Sequence, residues 1–543
     1  MSAAFATDDA AARVTVVRPV RRQSLGVPFG LRVQWTLAAL LAAGYTGVVM
    51  LLSPLPLQDL PTHLARAVVM SDLLFHDGSR FGELYQFHLL LIPYLLGDLV
   101  LTGLVELLGP TLASAVWSAF VVLSLPCAVL FYVSITGIAA QRRALLTLVS
   151  LYLATDWFFT LGFMNFRLAV AMTVATLGLA EALRRRWSHT LFGVYVAAVL
   201  LDYLMHLSTM ALLPVALIAS ALWRLHSGSM RLRAEALLLA PLAAVLVWNF
   251  AVADRYRAPS DLVENPYVWG SAYDKLAMLG SEFFRYRKRA DELLLGLLAA
   301  CLVLQIGCIS QARVHRSRRT EFAALALAFV ALYVILPRGY SDAWYVDVRA
   351  LPLASLFVIL ACVSLPDSVP VSALRMNLAM LLAAALALAN LTGLALVFVS
   401  LRGDLARFRS IVAVIPMHAR VLPVFTFGAS RNVVPLLHAA SFVTIDRAGL
   451  IPYEFAGDNG NTDRYFRYVP NLHYPSEFWY GEKDVPRWNE IACDYEYLLV
   501  TQPFEAQRLQ LPTRTIASND IAVLLRIDKH ACPAAITWRP DSL

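Results

Sequence analysis

The stretch Pro54-Leu55-Pro56-Leu57-Gln58-Asp59-Leu60-Pro61-Thr62-His63-Leu64-Ala65-Arg66 carries a carboxylate, an imidazole and a guanidinium directly after a long apolar block. A carboxylate or imidazole within reach of a hydroxyl can act as a general base. A guanidinium can hold an anionic leaving group such as a phosphate. Pro61 suits the first turn of a helix, with Asp59 or Leu60 at its cap. Leu64, Ala67, Val68 and Leu74 then line one face of an amphipathic helix lying at a membrane interface. His63 and Arg66, three residues apart, share a face of that helix. Each residue also has a plain structural reading: Asp59 as an N-cap, Arg66 as a snorkelling cation, His63 as an interfacial polar group. The grouping of all three at the edge of an apolar bundle favours chemistry.

The elements that must position them are membrane helices. The chain has 543 residues, of which 59% are hydrophobic and only 15% charged. Soluble domains carry about 25% charge, so a disordered chain, a collagen-like chain and an ordinary cytosolic enzyme are excluded. Apolar blocks run at 33–53, 88–108, 112–136, 144–160, 165–183, 190–205, 207–223, 234–252, 292–310, 321–336, 348–365 and 376–399. Most reach the roughly 17–25 residues that cross a bilayer core. The 88–108 block is the weakest of them, because it holds Pro93, Gly97, Asp98 and Glu106. It reads as a juxtamembrane or re-entrant helix, which leaves about eleven spans.

Orientation follows from arginine-rich loops. Arg18, Arg21, Arg22 and Arg32 precede the first span, and Arg142-Arg143, Arg184-Arg185-Arg186, Arg224, Arg231 and Arg313–Arg319 fall between later ones. With these loops in the cytoplasm, the N-terminal segment 1–32 is inside and the chain after 400 is outside. The alternative keeps 88–108 as a span and accepts one violated loop. The net charge of +7 resides before residue 400, since the tail holds 15 basic and 15 acidic residues. Positive inner loops explain the basicity, and nucleic acid is not needed as a partner.

The expected architecture is therefore mainly α. A polytopic helix bundle spans 33–399, with outer juxtamembrane helices in 54–111, and 400–543 forms an outer soluble α/β domain. In that domain Val421–Phe427 reads as a strand, Asn432–Ala440 as a short helix and Phe442–Asp446 as a second strand. Tyr495–Thr501 is a further strand, and Arg514–Ile516 and Ile521–Ile527 flank a turn at Ser518-Asn519-Asp520. Cys493 and Cys532 are placed where a disulfide could form, and free thiols are the equal alternative. Walker, dinucleotide, serine-elbow and HExxH motifs are absent from the sequence.

Further outer-side candidates follow. Asn165 and Arg167 lie where two spans meet, either lining a cavity or capping a turn. His206 stands at a span boundary near Asp202, as a functional group or as that residue's partner. Arg285, Arg287, Lys288 and Arg289 form a basic cluster against the positive-inside trend, which suits an anionic phosphate or a solvated loop face. Arg349 could reach a phosphate or pair with Asp347.

The first-loop Asp59, followed by Pro61 and His63 on an amphipathic helix, resembles the GT-C class of integral-membrane glycosyltransferases. The likeness extends to the demoted helix before the second span and to the terminal soluble domain. It implies a polyprenyl-phosphate-linked sugar donor, a glycan, lipid or protein acceptor, and Asp59 as the catalytic base. His63, Arg66, Asn165, His206, Arg285, Arg287, Lys288 and Arg349 are then the substrate-binding candidates. The compact loops and Ala/Leu/Arg-rich composition suggest a bacterial inner membrane, and the soluble domain is then periplasmic, where it binds the acceptor or caps the cavity. Some members carry a second acidic residue directly beside the catalytic one. This chain does not, so a divalent cation stays an open possibility, and no cofactor is fixed. Two other classes remain in view: a transporter or flippase of lipid-linked glycans, and a non-enzymatic glycan-assembly subunit.

Overall fold

The computed structural model describes residues 30–78, 80–256, 267–306, 316–340, 343–364, 372–425, 433–452, 466–468, 495–501 and 513–528. Its first helices are α1 (Leu31–Leu51), α2 (Leu60–Phe75), α3 (Leu95–Thr136), α4 (Ala140–Ala154), α5 (Trp157–Leu161), α6 (Met164–Arg185) and α7 (His189–Met205). They are followed by α8 (Thr209–His226), α9 (Leu232–Tyr256), α10 (Ala272–Met278), α11 (Lys288–Ile306), α12 (Arg316–Ile335), α13 (Leu351–Val363), α14 (Ala373–Val412) and α15 (Phe442–Arg447). Each of the eleven blocks expected to cross a membrane overlaps one of these helices. Among the described residues, seven helices are long and apolar enough to span a bilayer. The protein is an integral membrane protein with a mostly helical fold.

The 88–108 block is interrupted in the structure. The helix that starts at Leu95 breaks at Gly109, whose φ of 73° and ψ of 161° belong to a region open essentially to glycine. Pro110 then starts the next helical segment, where its missing N–H costs nothing. The stretch from Leu95 to Leu108 is thus a separate rod, strapped to α2. Arg66 forms an ion pair with Asp98 at 3.1 Å, and the Ser71 hydroxyl donates to Glu106 at 2.6 Å. The two acids of this block, Asp98 and Glu106, are the ones that bind it to α2.

One expectation about α2 changes, and one plain reading is set aside. Arg66 is 1% exposed, so it is a buried, paired cation and not a snorkelling one. Leu64 and Ala67 are buried as expected, but Leu74 is exposed.

The tail is built on α14. At ~1.5 Å per residue its 40 residues extend about 60 Å, twice the hydrocarbon thickness. The helix runs unbroken through residue 399. Its last turns supply Leu405, Phe408, Ile411 and Val412 to a second core with Val421, Phe442, Val443, Leu499 and Leu524.

Short strands β1 (Tyr85–Phe87), β2 (Tyr267–Val268), β3 (Gly339–Tyr340) and β4 (Ala343–Trp344) lie in the loops, and β5 (Val421–Phe425) opens the tail. After β6 (Phe466–Tyr468) come β7 (Tyr497–Thr501), β8 (Thr513–Ser518) and β9 (Ala522–Ile527). The four-stranded sheet has the order β5-β7-β9-β8, with β5 parallel to β7 and the other pairs antiparallel. The parallel pair with a helix between its strands bears out the α/β reading, and the hairpin sits at Asn519 as expected.

Phe442–Asp446, expected as a strand, is the helix α15. The reason is a tertiary contact. Arg409 of α14 makes two hydrogen bonds to the Asp446 carboxylate, at 2.8 and 2.7 Å, and its guanidinium lies 4.6 Å from the Phe442 ring centroid. Residues four apart meet a single partner on one helical face, whereas in a strand they lie about 13 Å apart. The described part of Asn432–Ala440 is a turn leading into a 3₁₀ segment at Ala439–Ser441, not a helix of its own. Cys493 and Cys532 lie outside the described residues.

Candidate active site

Asp59 stands at the N-terminus of α2, with Pro61 in the first turn as its sequence suggests. Its side chain makes no capping bond, so the plain N-cap reading does not account for it. The backbone around it is held from the side. Asp59 N–H donates to the Leu161 carbonyl at 2.9 Å, at the end of α5. Gly162 caps that helix with φ +82°, and a Cβ there would lie 2.8 Å from the amides of Asp59 and Leu60. Glycine is thus required twice at this position, for its left-handed backbone and for the close approach.

Asp59 is 7% exposed. Its Oδ1 accepts a hydrogen bond from Gln58 Nε2 at 3.2 Å and lies 3.4 Å from His438 Nε2. Burial raises its pKa from 3.8 to about 7, against the smaller opposing effects of the Gln58 hydrogen bond and the Arg349 charge. A carboxyl poised near neutrality suits proton transfer. His438 comes from the tail. Burial lowers its pKa to about 3, so at neutral pH the imidazole is uncharged. His63, one turn into α2, is lowered to about 3 by burial and by the nearby Arg66 and His438.

The tail segment that brings His438 is tied to the first loop at several points. Val434 N–H donates to Gln58 Oε1 at 3.2 Å, and the Thr62 and Ser441 hydroxyls are 3.2 Å apart. β6 also pairs antiparallel with β1, Tyr468 opposite Tyr85.

Arg66 is close to this group but committed elsewhere. Its Nη2 contacts His63 Nδ1 at 3.1 Å and donates to Asp98 at 3.2 Å. Arg349 is held more loosely. Its guanidinium makes long contacts to Ser208 Oγ at 3.4 Å and the Trp344 carbonyl at 3.3 Å, and rests 5.6 and 5.8 Å from the ring centroids of Phe163 and Phe166. Asp347 does not pair with it. That carboxylate takes Lys275 Nζ at 2.6 Å and caps the turn carrying Arg349, so an ion pair fixes the loop and leaves its arginine at the site.

His206 is buried at the C-terminus of α7. Its Nδ1 accepts from Ser208 N–H at 3.0 Å, and its ring meets Tyr94 and Phe166 edge to face. Asp202 is not its side-chain partner, accepting instead from the Thr173 hydroxyl at 2.9 Å. Asn165 is buried against α3, where a Cβ on Gly97 would collide with its carboxamide. Among the described residues its enclosed Nδ2 has no hydrogen-bond partner. Arg167 pairs with Asp156 at 2.8 Å and donates to the Leu153 carbonyl.

The basic cluster divides. Arg285 is buried and fully engaged: it donates to Asp291 at 2.8 and 3.0 Å, to the Thr155 carbonyl at 3.1 Å and to Asn390. Asn390 in turn donates to the Tyr45 hydroxyl at 2.6 Å and to Thr155 Oγ1 at 2.8 Å. This knot joins α1, α4, α11 and α14. Arg287 and Lys288 are exposed at the start of α11.

The structure therefore gathers Asp59, His63, Arg66, His206 and Arg349 into one neighbourhood and sets Arg285 in a separate one. Sequence reasoning missed His438, Gln58 and Gly162. His438 has a signal in hindsight, an imidazole inside the apolar run Pro435-Leu436-Leu437-His438-Ala439-Ala440. Its pairing with a residue 379 positions upstream does not. Among the described residues, no group of three or more His, Cys, Asp or Glu is placed to hold a metal ion.

No protein-family model matches the sequence, and no curated protein matches it. Solved structures do. The fold is similar to that of ArnT from Cupriavidus metallidurans in the apo state, with a TM-score of 0.53 and 13% identity, over 93% of this chain and 100% of that one. It is also similar to the same ArnT bound to undecaprenyl phosphate, with a TM-score of 0.50 and 12% identity, over 92% and 99% of the two chains. The chain thus shares the fold of ArnT over almost its whole length.

Proposed function

We propose that the protein is a membrane glycosyltransferase that moves a sugar from a polyprenyl-phosphate donor to an acceptor hydroxyl. The carrying observation is Asp59: a buried carboxyl with a pKa near 7, at the junction of the first loop and the tail. A solved ArnT holds undecaprenyl phosphate, which supports a polyprenyl-phosphate ligand for this fold. The acceptor is a glycan, lipid or protein. The arginine-rich loops support an outer-face reaction, with the N-terminus in the cytoplasm and the tail in the periplasm of a bacterial inner membrane.

In this reaction the acceptor oxygen forms a bond to the anomeric carbon as the bond from that carbon to the phosphate oxygen breaks. The acceptor proton goes to Asp59, and the electron pair leaves with the polyprenyl phosphate. Arg349, loosely held on two aromatic rings, is the cation best able to turn toward the departing phosphate. Arg66 acts by keeping α2 on the adjoining helix. His63 and His206 are uncharged walls of the same pocket, and Asn165 offers its enclosed amide. Arg287 and Lys288, exposed on α11, attract the anionic donor at longer range.

The test is transfer from a panel of short-chain polyprenyl-phosphate sugars to membrane acceptors. Wild type should transfer, with kcat rising as pH climbs through about 7 and the carboxylate forms. Asp59→Asn should abolish transfer without lowering expression. Full activity in that variant would overturn the assignment of the base.

A further inference from the structure

We propose that His438, delivered by the C-terminal domain, is a positioning residue for Asp59, so that the catalytic group is complete only when the tail is docked on the first loop. This rests on the glycosyltransferase reading above.

The geometry is directional. Gln58 Nε2 lies 3.2 Å from Asp59 Oδ1, and His438 Nε2 lies 3.4 Å from the same oxygen. Among the described residues both polar contacts fall on Oδ1, and Oδ2 is the oxygen left to meet a substrate hydroxyl. The two groups are themselves linked to one tail segment. Gln58 Oε1 accepts from Val434 N–H, four residues before His438, and Ser441, three residues after it, meets Thr62. The segment thus orients the Gln58 carboxamide with one end and brings an imidazole with the other.

Several charged and titratable groups surround the pair. His63 faces His438 from α2, Arg66 lies beyond His63, and Arg349 acts on Asp59 from the turn before α13. Both imidazoles are uncharged at neutral pH, so neither competes with Arg349 for the leaving phosphate. A neutral imidazole with its proton on Nε2 stands 3.4 Å from Oδ1, a long polar contact that a small approach turns into a hydrogen bond fixing the plane of the carboxylate. After proton transfer the carboxylic acid carries its proton on Oδ2, and the contact to Oδ1 persists. Removing the donor frees the carboxyl to rotate and lets water reach it. A hydrogen bond to a charged group sets the scale of the loss at roughly 10- to 100-fold in kcat.

The experiment compares His438→Ala and His438→Gln in the full-length protein, in detergent or liposomes. Gln can place an N–H where His438 Nε2 stands. The expected result is a loss of roughly 10- to 100-fold in kcat for His438→Ala with donor KM within about twofold of wild type. The pH at which activity rises should move, and His438→Gln should recover most of the rate. A purely structural role would lower thermal stability in both variants and leave the pH profile of the surviving enzyme unmoved. A folded His438→Ala enzyme with wild-type kcat and pH profile overturns the proposal, as does a His438→Gln enzyme that folds but is as slow as His438→Ala. If wild type itself transfers from none of the donors, the glycosyltransferase reading falls and this role with it. A His438-specific failure is distinct from that outcome, because wild type then still turns over.

Discussion

Two polar clusters in this protein look alike in sequence and differ in structure. Around Arg285, the guanidinium faces Asp291, Asn390 and the Thr155 carbonyl, and Asn390 continues the network to Tyr45. Around Asp59, one carboxylate oxygen is engaged, and Arg349 rests on aromatic faces with only long polar contacts. The first cluster is saturated and joins four helices. The second keeps a carboxylate oxygen and a loosely held guanidinium close enough for the charge of one to act on the other. A buried polar group with all its partners in place rigidifies a fold. One kept buried with bonding capacity to spare is costly and marks where a ligand is to enter. Both Arg285 and Arg349 are phosphate candidates by sequence, and their partners in the structure differ in this way.

The comparison is broken most sharply by exchanging the two arginines for alanine. Arg285→Ala should lose about 3–5 kcal/mol of stability, because Asp291 is left buried without its partner. Unfolding in detergent would show it as a large drop in Tm. Arg349→Ala should leave Tm within about 2 °C of wild type yet lower kcat roughly 100-fold, the scale of losing one charge-stabilising donor. Reversed outcomes would exchange the roles assigned to the clusters.

A smaller effect is expected from Gly162→Ala. The added Cβ lies 2.8 Å from two backbone amides, and the residue needs φ +82°. The backbone strain costs about 1–2 kcal/mol, and the first loop must shift away from α5. Displacing Asp59, the proposed base, by a fraction of an ångström should lower kcat roughly tenfold, with little change in donor KM. A wild-type rate in this variant would show that α5 does not set the position of Asp59.

The smallest effect is one of stability against pH. The folded Asp59 pKa lies near 7, above its unfolded value of 3.8. A raised carboxyl pKa favours the folded state while the group is protonated, and that advantage is lost as pH rises from 3.8 through about 7. Asp59→Asn, which cannot ionise, should therefore raise Tm by about 2–6 °C above neutrality and match wild type below the unfolded value. His63 and His438 have the opposite sign. Their lowered pKa values stabilise the fold above 6.5, and that stability is lost as pH falls toward about 3.

Much of the architecture could be read without the structure. Hydropathy blocks are a direct consequence of the bilayer, which requires uninterrupted apolar helices, so their positions were legible from residue types. Asp98 and Glu106 marked 88–108 as a poor span for the same reason, and Pro61 placed the start of α2. The tail was harder. Phe442–Asp446 has the composition of a strand, and its packing on other helices, with Arg409 holding both Asp446 and Phe442, goes with a helix instead. The boundary near 400 coincides with a change in composition, but α14 continues across it, because a helix can pass from lipid to protein core without any local break.

What the sequence determined by itself was the material of each segment: which stretches prefer hydrocarbon, where a helix starts, and that a carboxylate stands at the edge of the bundle. Those properties depend on neighbours a few residues apart. What only the tertiary structure decided was which polar groups are satisfied. Arg66 and Arg285 are taken up by Asp98 and Asp291, Arg349 is left at the site, and His438 reaches Asp59 across 379 positions of chain. Partnership between distant residues depends on packing, and no local pattern of residue types encodes it.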